Sequence, residues 1–273
     1  MSAACCILSV FGLATGRASV QARGGFFDQQ IFVRGSALKN VILGSLHTCE
    51  ERGAVSWYFA QPMALDYDNT RHCRDRGTCL KTILYMEKQI PADPAGRLIP
   101  AETGLIDGPG TYLFIEREGR TERRYRLAVR RADDYVGYIT ELLGVPFVYA
   151  PTYVEGKGHQ TDAGLGADCV AVVVYGIRRE GRNVPYVGPS KLYDLMAWIG
   201  DSSSLENTHI QVGDVLHFGF QTAVISKDLP PIGTLNAGDH IIHSFHRYVE
   251  EVRFSDLPYG GMPFDILRWD MND

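Results

Sequence analysis

The chain has no excess of positive charge: its 273 residues carry 27 Lys plus Arg against 32 Asp plus Glu, a net charge of −5. Nucleic acid is therefore not an expected partner, because phosphate binding needs clustered cations. The densest basic run, Arg117 to Arg131, alternates with acidic and apolar residues and reads as the solvated face of a hairpin. Also lacking is an apolar run long enough to cross a bilayer, so no stable membrane span is expected. Neither an internal repeat nor a low-complexity tract stands out, and no residue pattern calls for a cofactor. What is present is core-forming material: 45% of the residues are hydrophobic, enough for one large domain or two smaller ones.

The apolar stretch Cys5 to Ala14 has signal-peptide length, and Val20-Gln21-Ala22 supplies small residues for cleavage after Ala22. Residues 1–22 are thus read as a leader and the chain as periplasmic or secreted, although no Lys or Arg precedes the apolar run, which leaves a buried first strand or a misplaced start open. Removal of the leader would leave Cys49, Cys73, Cys79 and Cys169. In an oxidising compartment Cys73 and Cys79 could close a small loop, with Cys49 as an alternative partner for either. His47, Cys49, His72, Cys73 and Cys79 include zinc-type ligands, but at no standard spacing, and no metal is expected. Asp66 to Asn69 reads as a turn rather than a calcium loop.

Texture changes near residue 132. From Phe27 to Arg131, short apolar runs are broken by turn residues: Gln30 to Val33, Asn40 to Leu43, Ala54 to Phe59, Leu80 to Tyr85 and Thr111 to Ile115. Glu118-Gly119-Arg120 folds the last of these back into Arg124 to Arg130, with Tyr125, Leu127 and Val129 on one face and Arg124, Arg126 and Arg130 on the other. Gly110-Thr111-Tyr112 resembles the tyrosine corner of immunoglobulin-like sandwiches. Residues 27–131 are accordingly expected to form a β-rich domain, an immunoglobulin-like sandwich being the specific form suggested.

Residues 133–273 form the second expected domain. Asp133 or Asp134 caps a helix that ends at Gly144, a second helix carries Cys169, and a third runs near Lys191 to Ile199. Strands are expected at Asp214 to Phe218, Thr222 to Ser226 and His240 to Ser244, so the class is α+β. Cys169 follows Asp168 at the start of Val170 to Tyr175. An Asp N-cap and the unpaired amides of a helix start would favour a thiolate, whereas the Val-rich surroundings equally suit a small buried hydrophobe.

Gly144-Val145-Pro146-Phe147-Val148-Tyr149, the polar loop before Asp168-Cys169, Arg178-Arg179-Glu180-Gly181, Pro185, Gly213-Asp214-Val215-Leu216 and Ile242-His243-Ser244 resemble, in order, the NlpC-type cysteine peptidases of bacterial cell walls. The resemblance covers roughly residues 135 to 257. It implies a papain-like domain and a hydrolase that cleaves amide bonds of peptidoglycan stem peptides through a thioester on Cys169, with peptidoglycan or cell-wall peptides as partners.

Such chemistry needs a base, a group to orient it and donors for the oxyanion. Thr222 stands where the family has its base histidine. His243 matches the family's orienting residue. His217 and His159 are the two candidates for the missing base. Asp168 matches the family motif and is also the N-cap; Tyr149, Asp168 and His159 are candidate substrate-binding residues. Thr222 raises a second reading, an inactive module that binds cell-wall peptides. A third is an amidase or acyltransferase with another substrate. Oligomeric state and the bond cleaved are not legible.

Overall fold

A computed structural model describes residues 19–21, 27–44, 54–62, 85–154 and 158–270. These fall into two compact units, one ending at Arg131 and the other beginning at Ala132. The class is α+β and strongly β-rich, with a six-stranded sheet in each unit. Cys49, Cys73, Cys79, His47, His72, Asp66 to Asn69 and most of the expected leader lie outside the described residues. Ser19–Gln21, inside that leader, form a strand, β1, paired antiparallel with the next.

The first unit adds β2 (Gln29–Arg34), β3 (Val55–Pro62), β4 (Tyr85–Ile90), β5 (Gly110–Glu118) and β6 (Thr121–Arg130) in the order β1-β2-β6-β5-β3-β4. All neighbours are antiparallel except β2 and β6. Asn40 to Leu43 is not a strand; Leu43 makes a single bridge to Leu98. The β5–β6 hairpin turns on Gly119, whose φ of +58° is open to glycine at no steric cost. Tyr125, Leu127 and Val129 enter one core with Trp57, Phe59 and Phe114, as period-2 alternation requires. The opposite face is not uniformly solvated. Arg126 is fully buried, 5.5 Å from the Phe32 ring centroid, and donates to Gln30 Oε1 at 3.0 Å.

The Tyr112 hydroxyl does bond back along the chain, to Gly108 O at 2.9 Å and Asp107 Oδ1 at 3.1 Å. That local contact is compatible with more than one architecture. A sandwich needs two facing sheets, and the described residues of this unit form one mixed sheet, which replaces the immunoglobulin-like expectation.

The second unit contains helices α1 (Tyr135–Ile139) and α2 (Cys169–Arg179), a two-stranded ribbon β7 (Tyr153–Val154) and β8 (Gly158–His159), and β9 (Ala197–Asp201), β10 (Val215–His217), β11 (Thr222–Lys227), β12 (His240–Ser244), β13 (Val249–Arg253) and β14 (Asp265–Arg268). The last six form an antiparallel sheet, β13-β12-β11-β10-β14-β9. The helix expected near Lys191 to Ile199 is instead a 3₁₀ turn, Pro189–Asp194, followed by β9 paired to β14. Trp198 and Ile199 suit a strand, and the pairing with β14 outweighs the local helical pattern.

Alternation divides this sheet into two faces. Val215, Val224, Ile242 and Leu267 pack with α1 and α2, while Leu216, Ala223, Ile225, Ile241 and Ile266 point the other way, into a cluster with Phe218 and Tyr259. Helix α2 is buried from Cys169 through Ile177, the signature of a core helix rather than an amphipathic surface one. Asp134 caps α1, accepting from the Gly137 amide at 2.7 Å. Glu141, just past α1, is fully buried; it accepts from Tyr175 Oη at 2.6 Å and from Arg179 at 2.9 and 3.1 Å, so the Arg-Arg end of α2 ties the two helices together.

Gly176 marks the closest approach of the helices: a Cβ there would lie 2.7 Å from Ile139 Cγ1 and 2.7–2.8 Å from the Tyr135 ring. Gly→Ala inside a helix ordinarily stabilises by about 1 kcal/mol, but overpacking a filled core costs about 1–3 kcal/mol. We expect Gly176→Ala to destabilise by about 1–2 kcal/mol in urea unfolding; a stabilised variant would show that the helices separate freely.

Candidate functional site

The backbone before α2 is held by a short parallel pairing. Ala167 N donates to Pro146 O at 3.1 Å and Val148 N to Ala167 O at 3.2 Å, while Thr161 Oγ1 and Ser244 Oγ bond to Gly166 O and Ala167 O at 3.0 and 2.8 Å. Gly166, with φ +154°, passes so close to Val148 that a side chain would collide with it. The stretch Gly144 to Tyr149 and the residues before Cys169, separate in sequence, are thereby one local structure. Asp168 then caps α2: Oδ1 accepts from Ala171 N at 2.7 Å and Oδ2 from Ala150 N at 3.1 Å. Burial raises the pKa of its carboxyl, and these amides act against that.

Cys169 is 7% exposed and opens onto a pocket of about 670 Å³, within the range of small-ligand sites. Tyr149, His159 and Asp168 line the same pocket, together with Phe147, Tyr186 and Phe220. Three of the candidate substrate-binding residues therefore share one cavity with the thiol. Tyr149 and Phe220 are about half exposed, which suits positions at a mouth.

The sulfur does not meet a histidine. Among the described residues no ring nitrogen hydrogen-bonds to it; its polar neighbours include the hydroxyl and backbone of Thr222, the Val170 backbone and the Asp168 carboxylate. The hydroxyl is buried and forms no full hydrogen bond, so its stabilisation of a thiolate is partial. Burial, followed by the Asp168 charge, pushes the Cys169 thiol up to about 11. A helix N-terminus alone does not overcome that desolvation.

His243 sits on β12 opposite Ala223, on the face turned away from α2, where Nδ1 lies 2.9 Å from Tyr259 Oη and Nε2 3.3 Å from Glu250 Oε1. Its neighbour Ser244 is the residue on the helix side. Gln221, which lines the pocket, donates to Ser244 O at 2.8 Å and to Tyr259 Oη at 3.3 Å, so Gln221 and Tyr259 link His243 to the pocket, and Tyr259 also interacts electrostatically with Cys169.

His217 is on the helix face, paired across from Thr222, but both nitrogens are engaged. Nε2 is 3.1 Å from Pro189 O, and Nδ1 accepts the Gly219 amide at 3.1 Å and lies 3.2 Å from Tyr193 Oη. Tyr193 is in turn held by Asp265 at 2.5 Å. His159 is buried, with Nε2 3.0 Å from Pro151 O and Nδ1 accepting from Thr161 N at 3.3 Å. Its ring stacks on Tyr186 with centroids 3.5 Å apart, and burial lowers its pKa to about 4. His159 and His217 are thus committed at both nitrogens to partners other than the thiol, and His243 at Nδ1, its buried Nε2 forming no hydrogen bond.

Some residues carried by the resemblance have structural work. Asp214 is fully buried and forms a bidentate pair with Arg268, both contacts at 2.7 Å. Arg178 lies 5.0 Å from the Tyr186 ring centroid and 3.3 Å from Asp162, whose other oxygen accepts from Tyr186 Oη at 2.6 Å. Tyr186, Tyr193, Tyr259 and Glu250 were not singled out from sequence. Tyr186, in Val184-Pro185-Tyr186, had a signal in its aromatic-after-proline position; the others are brought in by long-range pairing.

The His159 environment generates a pH dependence. An unfolded imidazole titrates near 6.5 and the folded one near 4, so between these values the unfolded chain binds the extra proton. The stability that His159 contributes is present above pH 6.5 and is lost as pH falls through 4. His159→Phe, which retains a ring against Tyr186, is expected to be less stable than wild type at pH 7.5, and the gap should narrow by about 2–3 kcal/mol at pH 4.5. A gap that does not change with pH in denaturant titrations would show that His159 is not held neutral.

No protein-family model matches the chain, and no curated protein matches it. Among solved structures it is similar to an NlpC/P60 family protein from Bacillus cereus, with 14% identity and a TM-score of 0.35 over 80% of this chain. The match spans 61% of that protein's length. A likeness of this degree carries no argument about family or activity.

Proposed function

We propose that residues 132–273 form a divergent NlpC-like module that binds a peptide-class ligand, of the cell-wall stem-peptide kind implied by the resemblance, without cleaving it. The observation that carries this is the surroundings of Cys169: a pocket is present, but the thiol meets Thr222 instead of an imidazole and burial holds it protonated. With a pKa near 11, roughly one thiol in ten thousand is ionised at pH 7. Acyl transfer needs a thiolate and a proton carrier, and among the described residues none of His159, His217 and His243 hydrogen-bonds to the sulfur; His159 and His217 have both nitrogens engaged elsewhere. On this proposal the chain would meet its ligand in the periplasm or outside the cell.

The hydrolase reading retains one favourable feature. Cys169 is the first residue of α2, capped by Asp168 and open to the pocket, so a substrate that brought its own proton acceptor would find a correctly placed sulfur.

Alkylation separates the two. In the full chain, modification of Cys169 by iodoacetamide, followed on its own peptide by mass, should rise with pH toward 11 and at pH 7 run about two orders of magnitude slower than an exposed thiol of pKa near 8.5. Muropeptides should release heat on binding and be recovered uncut, and Cys169→Ala should bind them within about threefold of wild type. A reaction rate already at plateau below pH 7, with cut muropeptides that disappear in Cys169→Ala, would establish hydrolysis instead.

A further inference from the structure

The pocket reaches Cys169 through walls that carry almost no charge. Among the described residues that line it, none is Lys or Arg, Asp168 is the one carboxylate, and His159 is held neutral by burial. Arg178 stands behind Tyr186 and is engaged by Asp162 and Val184 O. Both Asp168 oxygens already accept backbone amides. The remaining surface is mainly the rings of Phe147, Tyr149, Tyr186 and Phe220 and aliphatic side chains, with a polar minority that includes the amide of Gln221.

A ligand carboxylate entering this space would lose its hydration, find no cation, and face the charge of Asp168. An ammonium would lose its hydration against a carboxylate whose oxygens are both already taken by amides. Removing an ion from water without a dedicated partner is unfavourable, whereas an apolar group gains by covering aromatic and aliphatic walls. From this we infer that the segment of the ligand that reaches Cys169 is uncharged and mainly apolar, an acyl chain or an aliphatic side chain, and that charged groups of the same ligand stay outside the mouth between Tyr149 and Phe220. The inference rests on the pocket being the binding site proposed above and narrows what occupies its inner end.

Methanethiosulfonate reagents test it, because they share one reaction: the Cys169 thiolate displaces methanesulfinate and a mixed disulfide forms. The full chain is treated at pH 8 with the methyl and benzyl reagents, both neutral, the anionic sulfonatoethyl reagent and the cationic aminoethyl reagent. Rates are read on the Cys169 peptide and divided by those of the same cysteine in urea. Both neutral reagents should outpace both charged ones by about tenfold or more, with benzyl, the bulkiest, separating charge from size. Equal normalised rates, or a Cys169 that reacts only in urea, would each overturn the inference. Cleavage of muropeptides with charge selection intact would remove the binding-only reading and leave this one standing.

Discussion

The start of α2 depends on the few backbone hydrogen bonds that clamp Pro146 to Val148 against Gly166 and Ala167. They determine where the helix begins, and therefore which residue caps it and which side chain is first over the pocket. A glycine is needed at 166 because the two segments approach more closely than a side chain allows, and Thr161 and Ser244 close the remaining carbonyls from the polar loop and the sheet. The position of Cys169 is thus a property of three separate chain segments.

The same clamp accounts for the state of the sulfur. It brings Cys169 down onto β11 at Thr222, inside a core whose desolvation outweighs the amides and the helix end. Position and reactivity are consequently uncoupled: the residue opens a capped helix at the pocket and is held as a thiol. The walls around it, stacked rings with one capped carboxylate and no cation among the described residues, suit a neutral apolar occupant better than a charged one.

Much of the scaffold was legible along the chain. The hairpin at Gly119, the Asp134 and Asp168 caps, the core faces of β6 and α1, and the strands ending in His217, beginning at Thr222 and containing His243 follow from period, turn chemistry and capping, which act over a few residues. Failures came where distant pairing decides. Ala197–Asp201 is a strand because β14, distant in sequence, supplies a partner, the described residues of the first unit form one mixed sheet in which β2 returns beside β6 in parallel, and Arg126 is buried against Phe32 and Gln30 despite belonging to a basic run.

By itself the sequence determined that a cysteine preceded by an aspartate would open an apolar helix. Only the tertiary structure decided what those residues face. Alternation along β12 sends His243 to one side of the sheet and Ser244 to the other, so a one-residue difference in register separates an imidazole from the thiol. Burial, which no local pattern measures, keeps that thiol protonated.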